Sequence, residues 1–293
     1  MTTFEAVLLG IVQGVFMFFP VSSTSHLALT QHWLIRRGSE LPPPESAEMI
    51  LFDLVVHVGT LVSIALVLRH SIWAYCRGVI SEVRQSAAER RAPLRERLYL
   101  RLTLWGLLAV FVTGTVGLTF KDLFEQVFAH PVAMAVTLTL TGALMWWTDS
   151  FTHLPRGLKQ LTPAVAIIVG LAQAFALIPG LSRSGMTIAF GLITGLKRRW
   201  AAEFSLFIAF PTIIAATGVQ ALGVLRDDAE VSITLWPFAV GFVVAAIVGA
   251  GALTLVLRLL YSARFRYFSY YLWFLAAAVV IWHFIGTVPI PPQ

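Results

Sequence analysis

Two short polar segments interrupt long apolar stretches of this chain, and both contain residue types suited to phosphate chemistry. The first, PVSSTSH, covers residues 20–26 and ends on His26. The second, PGLSRSG, covers residues 179–185 and contains Arg183. Hydroxyls and the planar arginine fork bind phosphate oxygens, and histidine exchanges protons near neutral pH. This combination predicts a site for a phosphorylated ligand.

A new half-helix is expected after each polar segment, with hydroxyl side chains at or near its first residue. Free backbone N–H groups and the positive end of the helix dipole favour anions at such a terminus. We therefore expect the two termini to converge on one anion. The side chains predicted to bind it are Ser22, Ser23, Thr24, Ser182 and Ser184.

Arg183 is the cation placed deepest in an apolar segment. Of the 21 Lys and Arg residues, the other 20 fall in loops or at the ends of predicted spans. A guanidinium at this depth is costly unless it meets an anion, which favours a ligand-binding role. An internal acid such as Asp53 or Glu203, or a capped carbonyl, is the alternative partner.

His26 is the remaining group in these segments that can act at neutral pH, as a proton carrier or as a nucleophile. The alternative is a histidine that only forms hydrogen bonds in the protein core. His57 follows Asp53 by four residues on one helical face, which fits either a supporting pair or an ordinary polar contact between helices.

The composition predicts an all-α integral membrane protein. Hydrophobic residues make up 58% of the chain, charged residues 12%, and the mean hydropathy is +0.81. Such a chain is too apolar for a soluble domain of this length. The single cysteine, Cys76, excludes an intramolecular disulfide and a multi-cysteine metal site. The net charge of +6 is explained by basic cytoplasmic loops, so no nucleic-acid partner is expected.

Six apolar runs are long enough to cross the bilayer. Two further apolar regions, near 4–35 and 163–196, are broken by the polar segments and are interpreted as re-entrant hairpins of two half-helices. The loop 69–101 contains eight Arg against three Glu and is predicted to be cytoplasmic. The acidic loop 223–233 is then outside. The six predicted crossings are 50–68, 98–118, 131–148, 202–222, 234–257 and 268–287.

The two broken regions resemble each other in sequence. Residues 10–26 and 170–185 each contain Gly, then Gln three residues later, an apolar run, a proline and a serine-rich cluster. The two glutamines are Gln13 and Gln173, which we expect to contribute to substrate binding. Opposite entry sides make the halves inverted copies, a pattern that points to a site near the membrane midplane. The predicted domains are a first repeat 1–148, a cytoplasmic linker 149–161 and a second repeat 162–293.

These motifs resemble the bacterial undecaprenyl-diphosphate phosphatases of the bacitracin-resistance type. The resemblance covers essentially the whole chain and includes PVSSTSH against the family's PVSSTGH, FDLVVHVGTL, PGLSRSG and AAEFSLFIAFP. It implies two re-entrant hairpins and six crossings in inverted repeats. It also implies hydrolysis of a polyprenyl diphosphate at the outer face of the bacterial inner membrane, to recycle the peptidoglycan carrier. Ser23, His26 and Arg183 fall on the family's active-site serine, histidine and arginine.

One motif departs from that family. Its pattern Glu-x-x-x-Glu-Phe-x-Pro supplies two glutamates implicated in divalent-metal binding and catalysis, but Gln13 and Met17 occupy those positions here. A Mg²⁺ or Ca²⁺ cofactor is implied by the resemblance and is put in doubt by this departure. Three functions remain open: a phosphatase with reduced metal dependence, a non-hydrolytic polyprenyl-phosphate binder or flippase-like protein, and an inactive regulatory paralogue. The sequence also leaves open a homodimer.

Overall fold

The computed structural model of the chain describes residues 1–44, 46–88, 96–120, 131–178, 180–226, 235–262 and 264–284. Within these ranges the protein is helical, with eleven α-helices, one 3₁₀ turn at Leu158–Gln160 and one isolated bridge between Arg156 and Leu196. The helices are α1 Thr3–Phe18, α2 Ser23–Arg36, α3 Ala47–Val67, α4 Arg69–Ala88, α5 Leu98–Thr119, α6 Pro131–Asp149, α7 Pro163–Phe175, α8 Arg183–Ile193, α9 Arg198–Arg226, α10 Leu235–Tyr261 and α11 Tyr267–Phe284.

Four of these helices are long and apolar enough to cross a membrane, namely α3, α5, α9 over Arg198–Gly223, and α10. Three shorter apolar helices accompany them: α1, α7 and Tyr267–Ile281 of α11. The all-helical, multi-pass prediction is therefore confirmed at this level. A helix covers most of each predicted crossing, and each of the regions 4–35 and 163–196 contains two helices separated by a break. The count of six crossings and the re-entrant path of these two regions stay predictions.

The chain divides into two compact units. The first unit contains Met1–Val67 and Ala209–Arg258, and the second contains Leu68–Ile208 and Leu259–Gln293. One of the three boundaries falls between α3 and α4, and the other two fall inside α9 and α10. The first polar segment belongs to the first unit and the second segment to the second unit. The inverted-repeat boundaries near residues 148 and 162 remain a prediction from the sequence.

Small residues let helices approach closely in the first unit. A Cβ added at Gly10 of α1 would lie 2.8 Å from the carbonyl oxygen of Gly241 in α10, and one at Gly14 would lie 2.9 Å from the nitrogen of Gly249. Backbone contact of this kind is the usual packing mode of membrane helices. α1, which precedes the polar segment, is thereby held against α10.

The second unit packs α5 on α7 and α6 on α11. Thr113 of α5 donates its hydroxyl hydrogen to the carbonyl oxygen of Gly170 at 3.0 Å, and Trp273 of α11 donates to the carbonyl oxygen of Thr139 at 3.3 Å. The first contact holds α7, which precedes the second polar segment, and α6 also packs on α8, which follows that segment.

A buried carboxylate joins three helix ends in the second unit. Asp149, at the end of α6, has a fully buried side chain and accepts a hydrogen bond from Arg198 Nη1 at 2.7 Å. Its second oxygen accepts the backbone N–H of Arg266 at 3.0 Å. Arg198 also donates to the carbonyl oxygens of Asp149 and Phe151. Because Asp149 compensates a largely buried guanidinium, its loss should be costly.

Asp149→Ala is expected to lower the free energy of unfolding by about 3–5 kcal/mol, because it leaves the charge of Arg198 without its anion. Thermal unfolding in detergent or lipid nanodiscs measures this as a lower Tm. Glu203→Gln is the control, since Glu203 pairs with Arg199, whose side chain is 61% exposed. That change should cost less than about 1 kcal/mol. Equal Tm values for the two variants would show that the Asp149 cluster does not stabilise the fold.

The segment 69–101 differs from the loop predicted between two spans. The helix α4 occupies Arg69–Ala88, separated from α3 by Leu68 alone. Its arginines and Glu82 make α4 too polar to span a membrane. A helix can still form here, because it requires only apolar residues with a helical period and residues that favour helix formation. Residues 121–130 of the predicted outer loop 119–130 lie outside the described ranges. The acidic residues of the predicted outer loop 223–233 lie outside them as well.

Candidate phosphate site at two helix N-termini

The first polar segment forms a tight break between two helices. α1 ends at Phe18 and α2 begins at Ser23, so the break is four residues long. Ser22 occupies the N-cap position of α2, but its side chain makes no capping hydrogen bond there. Its backbone is left-handed, with φ 64° and ψ 83°, and it is the one non-glycine residue with positive φ in the described ranges. Strain of this kind costs about 1–3 kcal/mol and often accompanies functional sites.

Hydroxyls cluster in the first turn of α2, as the sequence predicts. The Oγ atoms of Ser22 and Ser25 lie 3.0 Å apart, and both residues are buried. Ser23 is the first residue of the helix and is half-buried. Thr24 is helical, but its side chain lies outside the described part of the chain. The terminus therefore combines hydroxyls with the first N–H groups of a helix, which suits an anion.

His26 is held at a fixed position in the same turn. Its Nδ1 lies 2.9 Å from the carbonyl oxygen of Ser22, and its ring stacks on Phe16 with centroids 3.9 Å apart and an interplanar angle of 20°. A carbonyl oxygen only accepts, so Nδ1 must carry a hydrogen in this contact. In the neutral ring, Nε2 is then the basic nitrogen, and His26 has the tautomer needed to take up a proton there.

Met17 lies between Gln13 and Ser23. Gln13 Nε2 donates to Met17 Sδ at 3.5 Å, and the Ser23 hydroxyl donates to the same sulfur at 3.9 Å. Gln13 is fully buried, and its Oε1 has no hydrogen-bond partner among the described residues. The two positions that carry glutamate in the family motif therefore contact each other, and position 17 contacts Ser23.

The donor atoms around Ser23 do not fit a hard divalent cation. Mg²⁺ and Ca²⁺ prefer several oxygen ligands that include carboxylates. Gln13 offers one neutral oxygen, and Met17 offers a soft thioether sulfur in the place of a carboxylate. No group of three or more His, Cys, Asp or Glu with metal-binding geometry occurs in the described ranges. The cation implied by the family resemblance lacks its protein ligands at this break.

The second polar segment forms a longer break, between α7 and α8. Ser182 caps α8 by accepting the backbone N–H of Gly185 at 3.2 Å, and its Oγ lies 3.3 Å from that of Ser184. Arg183 is the first residue of α8. Gln173 of α7 is buried and donates to Thr113 Oγ1 at 3.1 Å. This contact joins α7 to α5.

Gly180 shapes this break through close backbone approach. Its φ is +85°, and an added Cβ would lie 2.1 Å from Thr137 Oγ1 and 2.9 Å from the carbonyl oxygen of Met134. Gly38 has a similar φ of +87°, but nothing lies within 4 Å of a Cβ added there.

Gly180→Ala should therefore lower both Tm and phosphate-ligand affinity more than Gly38→Ala does. Both variants carry the same backbone strain, while only Gly180→Ala must displace α6 from α8. Paired thermal melts and ligand titrations measure the difference. Similar losses in both variants would mean that the contact with Thr137 does not shape the break.

From the sequence, Ser23 and Arg183 are expected to meet, although 160 residues separate them. This stays a prediction, because the two residues belong to different units. The acids considered as partners of Arg183 have other observed contacts. Asp53 accepts from Gln31 Nε2 at 3.0 Å, and Glu203 accepts from Arg199 at 2.8 Å. His57 Nδ1 lies 2.7 Å from the backbone oxygen of Asp53, so this observed contact does not involve the carboxylate.

Three residues at the first break were not anticipated. Phe16 stacks on His26, Ser25 contacts Ser22, and Gln31 binds Asp53. The three-residue spacing of Ser22 and Ser25 indicates a shared helix face and could have revealed that pair. No sequence signal indicates the stacking of Phe16 or the contact between α2 and α3 through Gln31.

Comparison with known proteins agrees with the motifs. The family model described as "Bacitracin resistance protein BacA" matches residues 6–278. An undecaprenyl-diphosphatase of Alkalilimnicola ehrlichii is 55% identical over 95% of this chain and 96% of its own length. One from Halorhodospira halophila is 53% identical over 96% and 98%. One from Carboxydothermus hydrogenoformans is 32% identical over 96% and 97%.

Proposed function

Because this chain belongs to the bacitracin resistance protein BacA family, we propose that it hydrolyses undecaprenyl diphosphate to undecaprenyl phosphate and inorganic phosphate. The observation that carries the proposal is the break before α2, which brings the helix N-terminus, its serines and His26 together in a chain closely related to named diphosphatases. A non-hydrolytic or flippase-like role is not favoured, since relatives above 50% identity have the enzyme's name.

The N-terminus of α2 binds the terminal phosphoryl group in this account. Ser22 and Ser23 bring hydroxyls to the start of the helix, where backbone N–H groups and the helix dipole attract negative charge, and Thr24 is proposed to add a third hydroxyl. Charge builds up on the phosphoryl oxygens as the bond to the bridging oxygen breaks. Donors that are already oriented stabilise that charge without reorganising, which is often the largest contribution to catalysis.

His26 transfers the proton of the reaction. In hydrolysis, a water oxygen bonds to the terminal phosphorus, the bond from that phosphorus to the bridging oxygen breaks, and the lipid phosphate leaves with the bonding electrons. The attacking water loses a proton, which Nε2 of the neutral His26 ring accepts. The Ser22 carbonyl oxygen and the Phe16 ring hold the imidazole in place. Ser23 contacts the phosphoryl group through its hydroxyl.

Arg183, with Ser182 and Ser184, is proposed to bind the same diphosphate. The support is the internal sequence repeat, the position of Arg183 at the first residue of α8, and the hydroxyl cap beside it. A guanidinium binds two phosphate oxygens at once, which suits a diphosphate. Gln13 and Gln173 complete the proposed binding set. The proposed site opens to the periplasmic face of the inner membrane, where hydrolysis would recycle the carrier lipid.

The test is release of inorganic phosphate from undecaprenyl diphosphate by the purified chain, with His26→Ala and His32→Ala compared. Loss of a proton-transfer group should slow release by about 10²–10⁴-fold. His32 stands on the same helix, so His32→Ala controls for general damage to α2 and should remain close to wild type. If both folded variants release phosphate at the wild-type rate, His26 is not the proton carrier.

A further inference from the structure

One face of α4 is docked on α5 in the second unit. Glu82 accepts the backbone N–H groups of Tyr99 and Leu100, at 3.0 and 2.8 Å, and so caps the first turn of α5. The Tyr75 hydroxyl lies 2.5 Å from Thr103 Oγ1. Gly78 lets the Tyr99 ring lie against the helix, where an added Cβ would be 2.2 Å from the ring. This inner face is fixed by specific contacts.

The opposite face of α4 presents an apolar stripe. With 100° per residue, its members fall within an arc of about 100°, which is typical of an amphipathic helix. Trp73 is 60% exposed, Ile80 51% and Val83 50%. The stripe consists of Ile72, Trp73, Cys76, Ile80 and Val83, all exposed within the part of the chain that the structure describes.

Arginines border this stripe. Arg77 and Arg84 lie along one edge, Arg69 begins the helix, and all three are exposed. The Arg77 guanidinium lies 5.2 Å from the centroid of the Trp73 ring. The single acid among the described α4 side chains, Glu82, points inward to cap α5. The exposed surface of α4 is therefore apolar and cationic, which complements a lipid interface with anionic phosphates.

The position of α4 beside a candidate span agrees with this partner. α4 is absent from the helices apolar enough to cross a membrane, whereas α5, whose first turn it caps, is among them. A helix tied to the first turn of a span lies near the end of that span, at headgroup depth.

We propose that α4 is an interfacial helix whose apolar stripe inserts into the cytoplasmic leaflet, with Arg69, Arg77 and Arg84 binding anionic lipid headgroups. Burial of the stripe is expected to reach about 5–10 Å into the boundary between headgroups and acyl chains. Through Glu82, the helix would also position the first turn of α5 against the membrane surface.

Cys76, the one cysteine of the chain, permits a test without altering the stripe elsewhere. The protein is labelled at Cys76 with an environment-sensitive fluorophore and reconstituted in vesicles of phosphatidylcholine with phosphatidylglycerol. Quenching by lipids with nitroxides near the headgroup or deep in the chain gives the depth. The matched control is Cys76→Ser with Ser81→Cys, because position 81 lies about 140° around the helix from position 76.

The fluorophore at Cys76 is expected to be quenched more strongly by the nitroxide near the headgroup than by the nitroxide deep in the chain. It should also be quenched less by iodide than the same fluorophore at Ser81→Cys. Arg77→Gln with Arg84→Gln should weaken shallow quenching more in phosphatidylglycerol vesicles than in phosphatidylcholine alone. Strong iodide quenching at Cys76, maximal quenching by the deep nitroxide, or efficient Cys76 to Cys76 cross-linking would overturn it. Those results indicate a water-exposed helix, a spanning helix and a second copy of the chain, respectively.

Discussion

Replacing Gln13 and Met17 together with glutamate is expected to raise phosphate release from undecaprenyl diphosphate by at least about tenfold, and to make the gain depend on added Mg²⁺ or Ca²⁺. Met17 Sδ already contacts both Gln13 Nε2 and the Ser23 hydroxyl, so a carboxylate at position 17 would lie beside the proposed phosphoryl site. A second carboxylate at position 13 would add the further charged oxygens that a hard cation prefers.

The control for this double variant is Gln13→Glu combined with Met17→Gln, which retains hydrogen bonding at position 17 but lacks its charge. Its gain should be smaller, because one carboxylate binds a hard cation poorly. Thermal melts must accompany the assays, since two buried charges can destabilise α1. A well-folded double glutamate variant without metal-dependent gain would show that the remaining site cannot use a cation.

Arg183→Ala is expected to lower kcat/KM for undecaprenyl diphosphate by about 10²–10³-fold, because the variant lacks the positive charge that is proposed to bind the phosphoryl oxygens. The kcat/KM of Arg183→Lys should lie between those of Arg183→Ala and wild type, since lysine keeps the charge but lacks the two-pronged geometry of the guanidinium. Arg199→Ala is the control, because that side chain is exposed and pairs with Glu203. Equal kcat/KM for Arg183→Ala and wild type would assign the arginine a structural role.

The breaks between helices were predictable because they follow from local chemistry. A proline lacks the backbone N–H that a helix interior uses and so favours a helix end, and serine is a favoured capping residue. The sequence therefore indicated that Ser22, Ser23 and Ser182 lie at or near helix N-termini, as observed. Both helices nevertheless begin inside the polar segments, at Ser23 and Arg183, and not after them as predicted. It did not indicate the left-handed conformation of Ser22, since non-glycine residues adopt it only where the surrounding packing maintains the strain.

Contacts between helix faces were less predictable. The sequence showed that Gln13 and Met17 replace the family's glutamates, and their spacing of four residues indicated a shared face. It could not show that Met17 contacts Ser23, because this contact depends on how α1 and α2 pack around the break.

The helix α4 was not predicted, for a different reason. The segment 69–101 was assigned to a loop between spans because it is rich in arginine. A count of charges does not detect that its apolar residues recur with the period of a helix.

The most direct measurement of the central claim is release of inorganic phosphate from undecaprenyl diphosphate by the purified chain and its Ser23→Ala variant, at equal concentrations of folded protein. Wild type should release phosphate, and the variant should do so at least about 100-fold more slowly, because it lacks the hydroxyl that is proposed to contact the phosphoryl group. Ser150→Ala, at an exposed serine, should match wild type. No release by wild type at any divalent-cation concentration, or equal release by wild type and Ser23→Ala, would contradict the account.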